Sequence, residues 1–323
     1  MQSSTSIGKG GGTDPSMRLG MKPPLQGERV ELSNIRMGRV AFYAGAPRSV
    51  AHAEPPLLLV HSVNAAATAY EMKPIFEHYR ELRAVYALDL PGFGLSDRSE
   101  RKYTPRLMTD AVLAAVREVQ RRHDDAPIDV MALSLGCEFA ARAAMEMPNA
   151  FRSVALISPT GLDRRAERVA RNSGADKTRA MPWLHAFFTF PLWKRGFFSA
   201  LTSRASIRFF LQKTWGRKDI DEGLLDYDYI TTHQPGAENA PYYFVSGYLF
   251  STDAIDLYRS LAMPVWLSHG VRGDFVDYDQ KRLIQRLPNW SIDVFQTGAM
   301  PHFEKLAEFV ARYEAFLQRA QLA

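Results

Sequence analysis

The stretch that decides the fold is residues 128–144, which read IDVMALSLGCEFAARAA. It opens as a short apolar run typical of a buried strand and closes as an alanine-rich segment that favours a helix. Between the two lie Ala132, Ser134 and Gly136, with one residue between each pair. A strand that turns directly into a helix holds its central residue at an unfavourable backbone angle, at a cost of about 1–3 kcal/mol. Small neighbours leave room for that turn, so the pattern predicts that Ser134 stands exposed at its tip.

Strand-like and helix-like segments alternate on both sides of this stretch. The predicted strands are residues 28–33, 39–44, the apolar first part of 56–66, 84–90, 128–133, 153–158, 263–270 and 291–295. The strand within 56–66 ends in a polar loop of small residues that starts at His61. The predicted helices are residues 70–82, 104–123, the segment after Ser134, a segment ending near 287 and a terminal amphipathic helix to about 320. This alternation predicts an α/β fold with a mostly parallel sheet and ligands bound at the carboxyl ends of its strands.

Three loops at those predicted carboxyl ends carry the residues of a known family. The turn around Ser134 resembles the nucleophile elbow of α/β-hydrolases, written G-x-S-x-G, with Ala132 in place of the first glycine. Residues 61–64, His-Ser-Val-Asn, lie where that family often has its oxyanion loop, and residues 89–96, DLPGFGLS, match its D-x-P-G-x-G-x-S turn closely. The chain therefore resembles the serine-nucleophile branch of the α/β-hydrolase superfamily over about residues 28–320. The resemblance implies the α/β-hydrolase fold, a mostly parallel central sheet flanked by helices, with an inserted helical cap.

The alternation breaks between residues 161 and 261, which are rich in aromatic and basic residues. The resemblance implies a helical cap, or lid, there, with residues 28–160 and 262–323 as the hydrolase core. We expect most of the aromatic side chains to form the core of the cap and a minority to line an apolar acyl or aryl pocket. Contact of this segment with an anionic membrane surface is a lesser alternative. Residues 1–27 are predicted to be a flexible tail.

In this family the catalytic residues follow the order serine, acid, histidine along the chain. The resemblance therefore implies Ser134 as nucleophile, Asp274 as acid and His302 as base. Asp277 is a rival acid in the same loop, and Asp163 is a third candidate because some relatives carry their acid after the preceding strand.

The oxyanion hole would use backbone N–H groups, which stabilise the negative oxygen of a tetrahedral intermediate. The implied donors are those of Leu135 and Val63, with Ser62 as the alternative to Val63. We expect His61 to order this loop and His269 to be structural.

The loop after the last strand departs from the family pattern. Relatives commonly read Gly-His-x-Pro-x-x-Glu there, with the histidine as the base. Aligned on Gly298, Pro301 and Glu304, this chain has Ala299 in that place. His302 follows three residues later, about one helical turn, so we expect a shift of the loop to bring it to the position of the base. The alternative is that the base is absent and the pocket only binds a ligand.

Composition narrows the class of protein further. The chain has 323 residues, 46% of them hydrophobic and 23% charged, which is typical of a soluble globular protein. A net charge of +5 favours anionic partners only weakly, so we expect no nucleic acid as partner. Cys137 is the single cysteine, which excludes an internal disulfide and suits a cytoplasmic location. We expect no signal peptide and no integral membrane association, since no apolar run reaches about 18 residues.

A serine at the elbow favours acyl chemistry, because relatives that cleave carbon–halogen bonds or epoxides carry aspartate there. We expect hydrolysis of a carboxylic ester or related acyl bond of a largely apolar small molecule, through an acyl-enzyme and with no cofactor or metal. Hydrolysis of a carbon–carbon bond and acyl transfer to another acceptor remain open within the same fold. A non-catalytic protein that holds an apolar ligand in the capped pocket is the alternative from another class. A monomer or homodimer is expected.

Overall fold

The computed structural model of the chain describes residues 21–46, 54–163, 178–274 and 277–322. Its centre is an eight-stranded sheet. The strands are β1 (Glu28–Asn34), β2 (Gly38–Gly45), β3 (Leu57–Val60), β4 (Val85–Leu88), β5 (Ile128–Leu133), β6 (Phe151–Ile157), β7 (Val265–His269) and β8 (Trp290–Val294). Their order in the sheet is β1-β2-β4-β3-β5-β6-β7-β8. The pairs β1–β2 and β2–β4 are antiparallel, and all other neighbours are parallel.

Helices connect the strands and cover the sheet. They are α1 (Lys73–Tyr79), α2 (Pro105–Arg122), α3 (Gly136–Glu146), α4 (Pro182–Phe188), α5 (Lys194–Leu201), α6 (Arg204–Trp215), α7 (Glu222–Thr232), α8 (Asn239–Val245), α9 (Ala254–Arg259), α10 (Pro301–Glu304) and α11 (Leu306–Leu322). Short 3-10 turns form at Ala69–Met72, Pro148–Ala150 and Asp279–Leu283. The predicted fold class, a mostly parallel sheet flanked by helices, is confirmed.

The central strands are buried on both faces because successive side chains point to opposite sides of the sheet. Leu57 and Leu59 of β3 belong to a core layer shared with α1 and α11. Leu58 and Val60 belong to the opposite layer, shared with α2 and α3. The continuous apolar runs in the sequence are explained by these two layers.

The segment after Asp277 differs from its prediction. A helix was expected to run to about Leu287, but only the short 3-10 turn from Asp279 to Leu283 forms. The Gln280 N–H donates to the Leu162 carbonyl, 2.9 Å away, which ties this turn to the loop after β6. Further along, the Ile284 N–H donates to the carbonyl of Lys281, three residues back, as in a 3-10 turn.

The turn after β4 is fixed by a buried carboxylate. Asp89 accepts hydrogen bonds from the Tyr43 hydroxyl (2.6 Å), the Ala69 N–H (2.7 Å) and the Leu95 N–H (2.8 Å). Gly94 has a φ of +51°, and a β-carbon there would lie 2.0 Å from Asp89 Cγ. The D-x-P-G-x-G-x-S residues thus tie β2, the turn after β4 and the segment after β3 to one carboxylate.

The predicted flexible tail lies mostly outside the described residues, which begin at Met21. The part described is packed against the body of the protein. Leu25 is buried in the layer of α1 and α11, and the Tyr227 hydroxyl donates to the Lys22 carbonyl at 2.9 Å. The packed part of the protein therefore begins before Glu28, the predicted start of the core.

Helices α4 to α9, called here the inserted helices, lie between β6 and β7 in the chain. They contact loops at the carboxyl ends of the parallel strands. Arg98, after β4, donates to the carbonyl and hydroxyl of Thr231, both at 2.6 Å. The Ala299 N–H, after β8, donates to the Thr214 carbonyl at 2.9 Å. The inserted helices therefore pack over the carboxyl ends of the parallel strands, which is the end of the sheet where Ser134 lies.

Candidate active site

Ser134 occupies the sharp turn between β5 and α3. Its φ is +51°, a left-handed conformation that is uncommon for any residue except glycine. Its N–H donates to the Ile157 carbonyl at the end of β6, 2.8 Å away, and its side chain is partly exposed. A β-carbon at Gly136 would lie 2.3 Å from the His61 carbonyl oxygen, so only glycine lets α3 start this close to the loop after β3. The turn has the strained geometry that the residue pattern predicts.

The loop after β3 is held by His61. Its Nε2 atom accepts from the Leu90 N–H at 2.9 Å, and its Nδ1 atom lies 2.5 Å from the Ser62 carbonyl oxygen. Burial lowers the pKa of His61, which keeps the ring neutral. His61 therefore joins the loop after β3 to the turn after β4.

Glu71 places a buried carboxylate on the same loop. It accepts from the Ser62 N–H (2.8 Å), the Ser62 hydroxyl (2.9 Å) and the Asn64 amide (2.8 Å). Burial raises the pKa of Glu71 to about 7, although these hydrogen bonds favour the charged form. The N–H of Ser62 is therefore occupied by Glu71.

The N–H groups of Val63 and Leu135 differ from that of Ser62. Both residues are buried, yet neither N–H donates to an acceptor in the described part of the chain. Buried backbone N–H groups are nearly always paired in folded proteins. Two open donors in the loop after β3 and next to the serine are what an oxyanion hole requires.

His302 lies in α10, fully buried. Its Nε2 atom is 2.8 Å from the Glu71 carbonyl oxygen, so Nε2–H donates and the lone pair is on Nδ1. Nδ1 has no hydrogen-bond partner among the described residues. Burial lowers the pKa of His302 to about 4. In this arrangement His302 is neutral and hydrogen-bonds neither Ser134 nor a carboxylate.

Ala299, which aligns with the histidine of the family pattern, forms hydrogen bonds through both its N–H and its carbonyl group. Its N–H donates to the Thr214 carbonyl of α6, and its carbonyl accepts from the Ser158 hydroxyl at 2.7 Å. These bonds tie the loop after β8 to the inserted helices and to the end of β6. His302 bonds the Glu71 carbonyl and not Ser134, so the loop shift expected from the sequence is not seen in this arrangement.

None of the three candidate acids hydrogen-bonds His302. Asp274 is more than half exposed, and its carboxylate pairs with Lys213 at 3.2 Å. Asp163 lies 3.7 Å from the Arg179 guanidinium, and Asp277 accepts from the Asp279 N–H at 3.3 Å. Because the imidazole nitrogens bond elsewhere or not at all, none of the three acids orients it in this arrangement.

Two buried carboxyl groups near the loop after β3 were not predicted from the sequence. The first is Glu71. The second is Asp228 in α7, whose Oδ1 atom has no partner within the described ranges. Burial, followed by the nearby Glu71 charge, raises the pKa of Asp228 well above its usual range. The sequence did contain a signal that the Glu71 side chain is buried. Glu71 precedes the buried Ile75 by four residues, a spacing that puts both side chains on one face of a helix.

A cavity of about 380 Å³ lies away from the serine. Its lining includes Arg142 and Glu146 of α3 and Asp253, but not Ser134. Arg142 lies two turns along α3 from the elbow, so this cavity does not open onto the nucleophile. No group of three or more metal-ligating side chains occurs in the described ranges. No helix found there is both long and apolar enough to cross a membrane.

Substituting His302 tests its buried, neutral state. Its ordinary pKa is about 6.5 in the unfolded chain, so the unfolded chain binds the proton first as the pH falls. Acid therefore favours unfolding between about pH 6.5 and about pH 4, by about 3 kcal/mol for this residue. We expect the stability advantage of the native protein over His302→Gln to shrink by that amount across this range in urea unfolding. A constant difference would contradict the burial of a neutral imidazole.

The sheet order, the strained serine turn and the glycine that packs against the loop after β3 together define an α/β-hydrolase architecture. A family model described as alpha/beta hydrolase fold matches residues 55–305. The chain therefore belongs to the α/β-hydrolase fold family. No curated protein sequence matches it significantly.

Solved structures of low sequence identity share the fold. A probable hydrolytic enzyme from Pseudomonas aeruginosa PAO1 is 17% identical, with a TM-score of 0.68 over 90% of this chain and 93% of that chain. A putative lipase from Acinetobacter baumannii AYE is 16% identical, with a TM-score of 0.66 over 91% and 92%. The 2-hydroxy-6-oxo-6-phenylhexa-2,4-dienoate hydrolase of Rhodococcus sp. strain RHA1 is 17% identical, with a TM-score of 0.63 over 90% and 99%. These likenesses concern the fold alone.

Proposed function

We propose that the protein is a serine hydrolase that cleaves a carboxylic ester or related acyl bond of a largely apolar small molecule. The observation that carries this proposal is the elbow: Ser134 is held at a φ of +51° beside the open N–H of Leu135, and α3 starts against the loop that carries the open N–H of Val63. Strained backbone is retained where the surrounding structure enforces it, and it is common at nucleophiles of this kind.

The reaction would proceed in two steps. Ser134 Oγ attacks the acyl carbon, and the oxygen of the tetrahedral intermediate accepts from the N–H groups of Val63 and Leu135. The proton of the serine passes through the base to the leaving alcohol, which departs and leaves an acyl-enzyme. Water then attacks the acyl carbon, returns its proton to Ser134 Oγ through the base, and releases the acid.

His302 is the proposed base, because Nδ1 carries a lone pair that no described residue uses. Turnover would require α10 to move and His302 to release the Glu71 carbonyl oxygen. Contact with water or substrate would also raise its pKa from about 4 towards the ordinary value of about 6.5, where it serves as a base near neutral pH.

The inserted helices would act as the cap. Their contacts with the loops after β4, β7 and β8 support this role, because these loops surround the end of the sheet that carries Ser134. We further expect the protein to act without cofactor or metal, in the cytoplasm, as a monomer or homodimer.

Asp274 is the proposed acid. We expect Asp274→Asn to lower ester turnover strongly, by about a thousandfold or more, because asparagine keeps the shape of aspartate but not the charge that stabilises an imidazolium. Asp277→Asn is the matched comparison from the same loop and should have a weak effect. The reverse ranking would move the acid to Asp277, and two weak effects would leave Asp163. The readout is p-nitrophenyl ester hydrolysis.

A second candidate function is non-catalytic binding of an apolar ligand. The observation that favours it is Ala299, which stands in the place of the family base and is fastened there by Thr214 and Ser158. A hydrolase fold that has lost its base would retain the elbow and the pocket but release no product.

Two substitutions separate these functions. If His302 is the base, His302→Gln should lower turnover of a p-nitrophenyl ester panel by about a hundredfold or more. Ala299→His should then bring no gain. If the base has been lost, the native protein should hydrolyse no ester in the panel, and Ala299→His is the change that would create activity.

A further inference from the structure

Helices α4 and α5 and the turn between them present large apolar side chains to solvent. Leu192 is 83% exposed and Trp183 is 70% exposed. We define the apolar face as these two residues with Phe187, Phe190, Trp193 and Phe197, all of them exposed. Contiguous apolar patches of this kind are uncommon on soluble proteins and mark sites of interaction.

The apolar face is a built surface rather than a set of scattered side chains. The ring centroids of Trp193 and Phe190 are 4.5 Å apart, and those of Trp193 and Phe187 are 5.4 Å apart. The Trp193 indole N–H donates to the Phe187 carbonyl at 2.8 Å. On the opposite side of α4, Phe188 stacks on buried Tyr242. One side of the segment is thus anchored and the other is turned outward.

The charged side chains within this segment have one sign. Residues 178–218 contain no aspartate or glutamate and eight lysine and arginine residues. Several of these cations pair with acids from elsewhere, such as Arg204 with Asp226. Arg195, which lies between Trp193 and Phe197 in the chain, is exposed, and no acidic residue in the described part of the chain pairs with it. An anionic surface would therefore meet no repelling side chain from this segment.

We propose that the apolar face docks the protein on an anionic lipid surface. The aromatic and leucine side chains would enter the boundary between headgroups and acyl chains, while Arg195 lies at the level of the lipid phosphates. Tryptophan suits this depth because its ring is apolar and its N–H is polar. The protein would lie on the membrane rather than span it. The proposal goes beyond the proposed hydrolysis and does not depend on Ser134.

The test is flotation of the full chain with lipid vesicles. We expect binding to phosphatidylcholine vesicles that contain phosphatidylglycerol, and weaker binding to phosphatidylcholine alone. The double variant Trp183→Ser, Leu192→Ser should bind about a hundredfold less, at about tenfold for each buried side chain. Arg195→Glu should bind about tenfold less to the anionic vesicles only. Leu82→Ser is the matched control, because Leu82 is also an exposed leucine. It lies just before the amino end of β4, whereas the inserted helices contact loops at the carboxyl ends of the strands.

Folding of each variant is checked by thermal unfolding, which should not change because the substituted side chains are exposed. Failure of the native chain to float with anionic vesicles would overturn the proposal. Flotation unaltered by the double variant would also overturn it. A dimer in sedimentation velocity that the double variant dissociates, without vesicle binding, would assign the face to a second copy of the chain instead. Ser134→Ala should float like the native protein, so loss of catalysis and loss of docking are distinguishable.

Discussion

Ser134→Ala is expected to abolish p-nitrophenyl ester hydrolysis, by about four powers of ten or more. The nucleophile and its base act as a unit, so removing the hydroxyl removes the covalent route and leaves only the weak effect of the oxyanion donors and binding. Alanine tolerates the left-handed backbone at this position about as well as serine does. The loss should therefore appear in turnover, with little change in the free energy of unfolding.

Ser158→Ala is the matched control for this experiment. Ser158 also ends a strand in the left-handed region, with a φ of +46°, but its hydroxyl donates to the Ala299 carbonyl. Removing one such hydrogen bond should cost about 1 kcal/mol of stability and leave turnover within about tenfold. If Ser158→Ala lost activity and Ser134→Ala kept it, the nucleophile would have to be reassigned.

Asp89→Asn is expected to lower the free energy of unfolding by about 3 kcal/mol or more. Asparagine offers one oxygen where three donors, from Tyr43, Ala69 and Leu95, now meet two carboxylate oxygens. Its NH₂ group would face a donor inside the core, and a buried donor left without an acceptor is costly.

Urea unfolding of Asp89→Asn beside Asp110→Asn makes the comparison. Asp110 forms a more exposed ion pair with Arg106 on α2, and such pairs contribute less than about 1 kcal/mol. A loss below about 1 kcal/mol for Asp89→Asn would show that the turn after β4 does not depend on this carboxylate.

The sheet and the elbow could be predicted from the sequence because their signals are local. The apolar runs of β3, β5 and β6 follow from burial on both faces, and the small residues around Ser134 follow from the turn they flank. The short helix α10 and the position of His302 could not be predicted in the same way. They involve contacts between residues far apart in the chain, such as the hydrogen bonds of Ala299 to Thr214 and of His302 to Glu71.

The contacts of Glu71 in the candidate site could not be predicted from the sequence either. Its helical spacing with Ile75 indicates a buried side chain but not its target. The folded structure shows that its carboxylate accepts a hydrogen bond from Ser62 and that its carbonyl oxygen accepts one from His302. The occupied Ser62 N–H is a consequence of that contact.

Labelling with a fluorophosphonate tests most directly whether Ser134 is an activated nucleophile, because the reagent requires no knowledge of the substrate. We expect the native protein to be labelled on the peptide that contains Ser134, and Ser134→Ala to remain unlabelled. An unlabelled native protein, under conditions that label a control serine esterase, would contradict the hydrolase proposal and favour ligand binding without turnover. Label found on any other residue would contradict the assignment of the nucleophile.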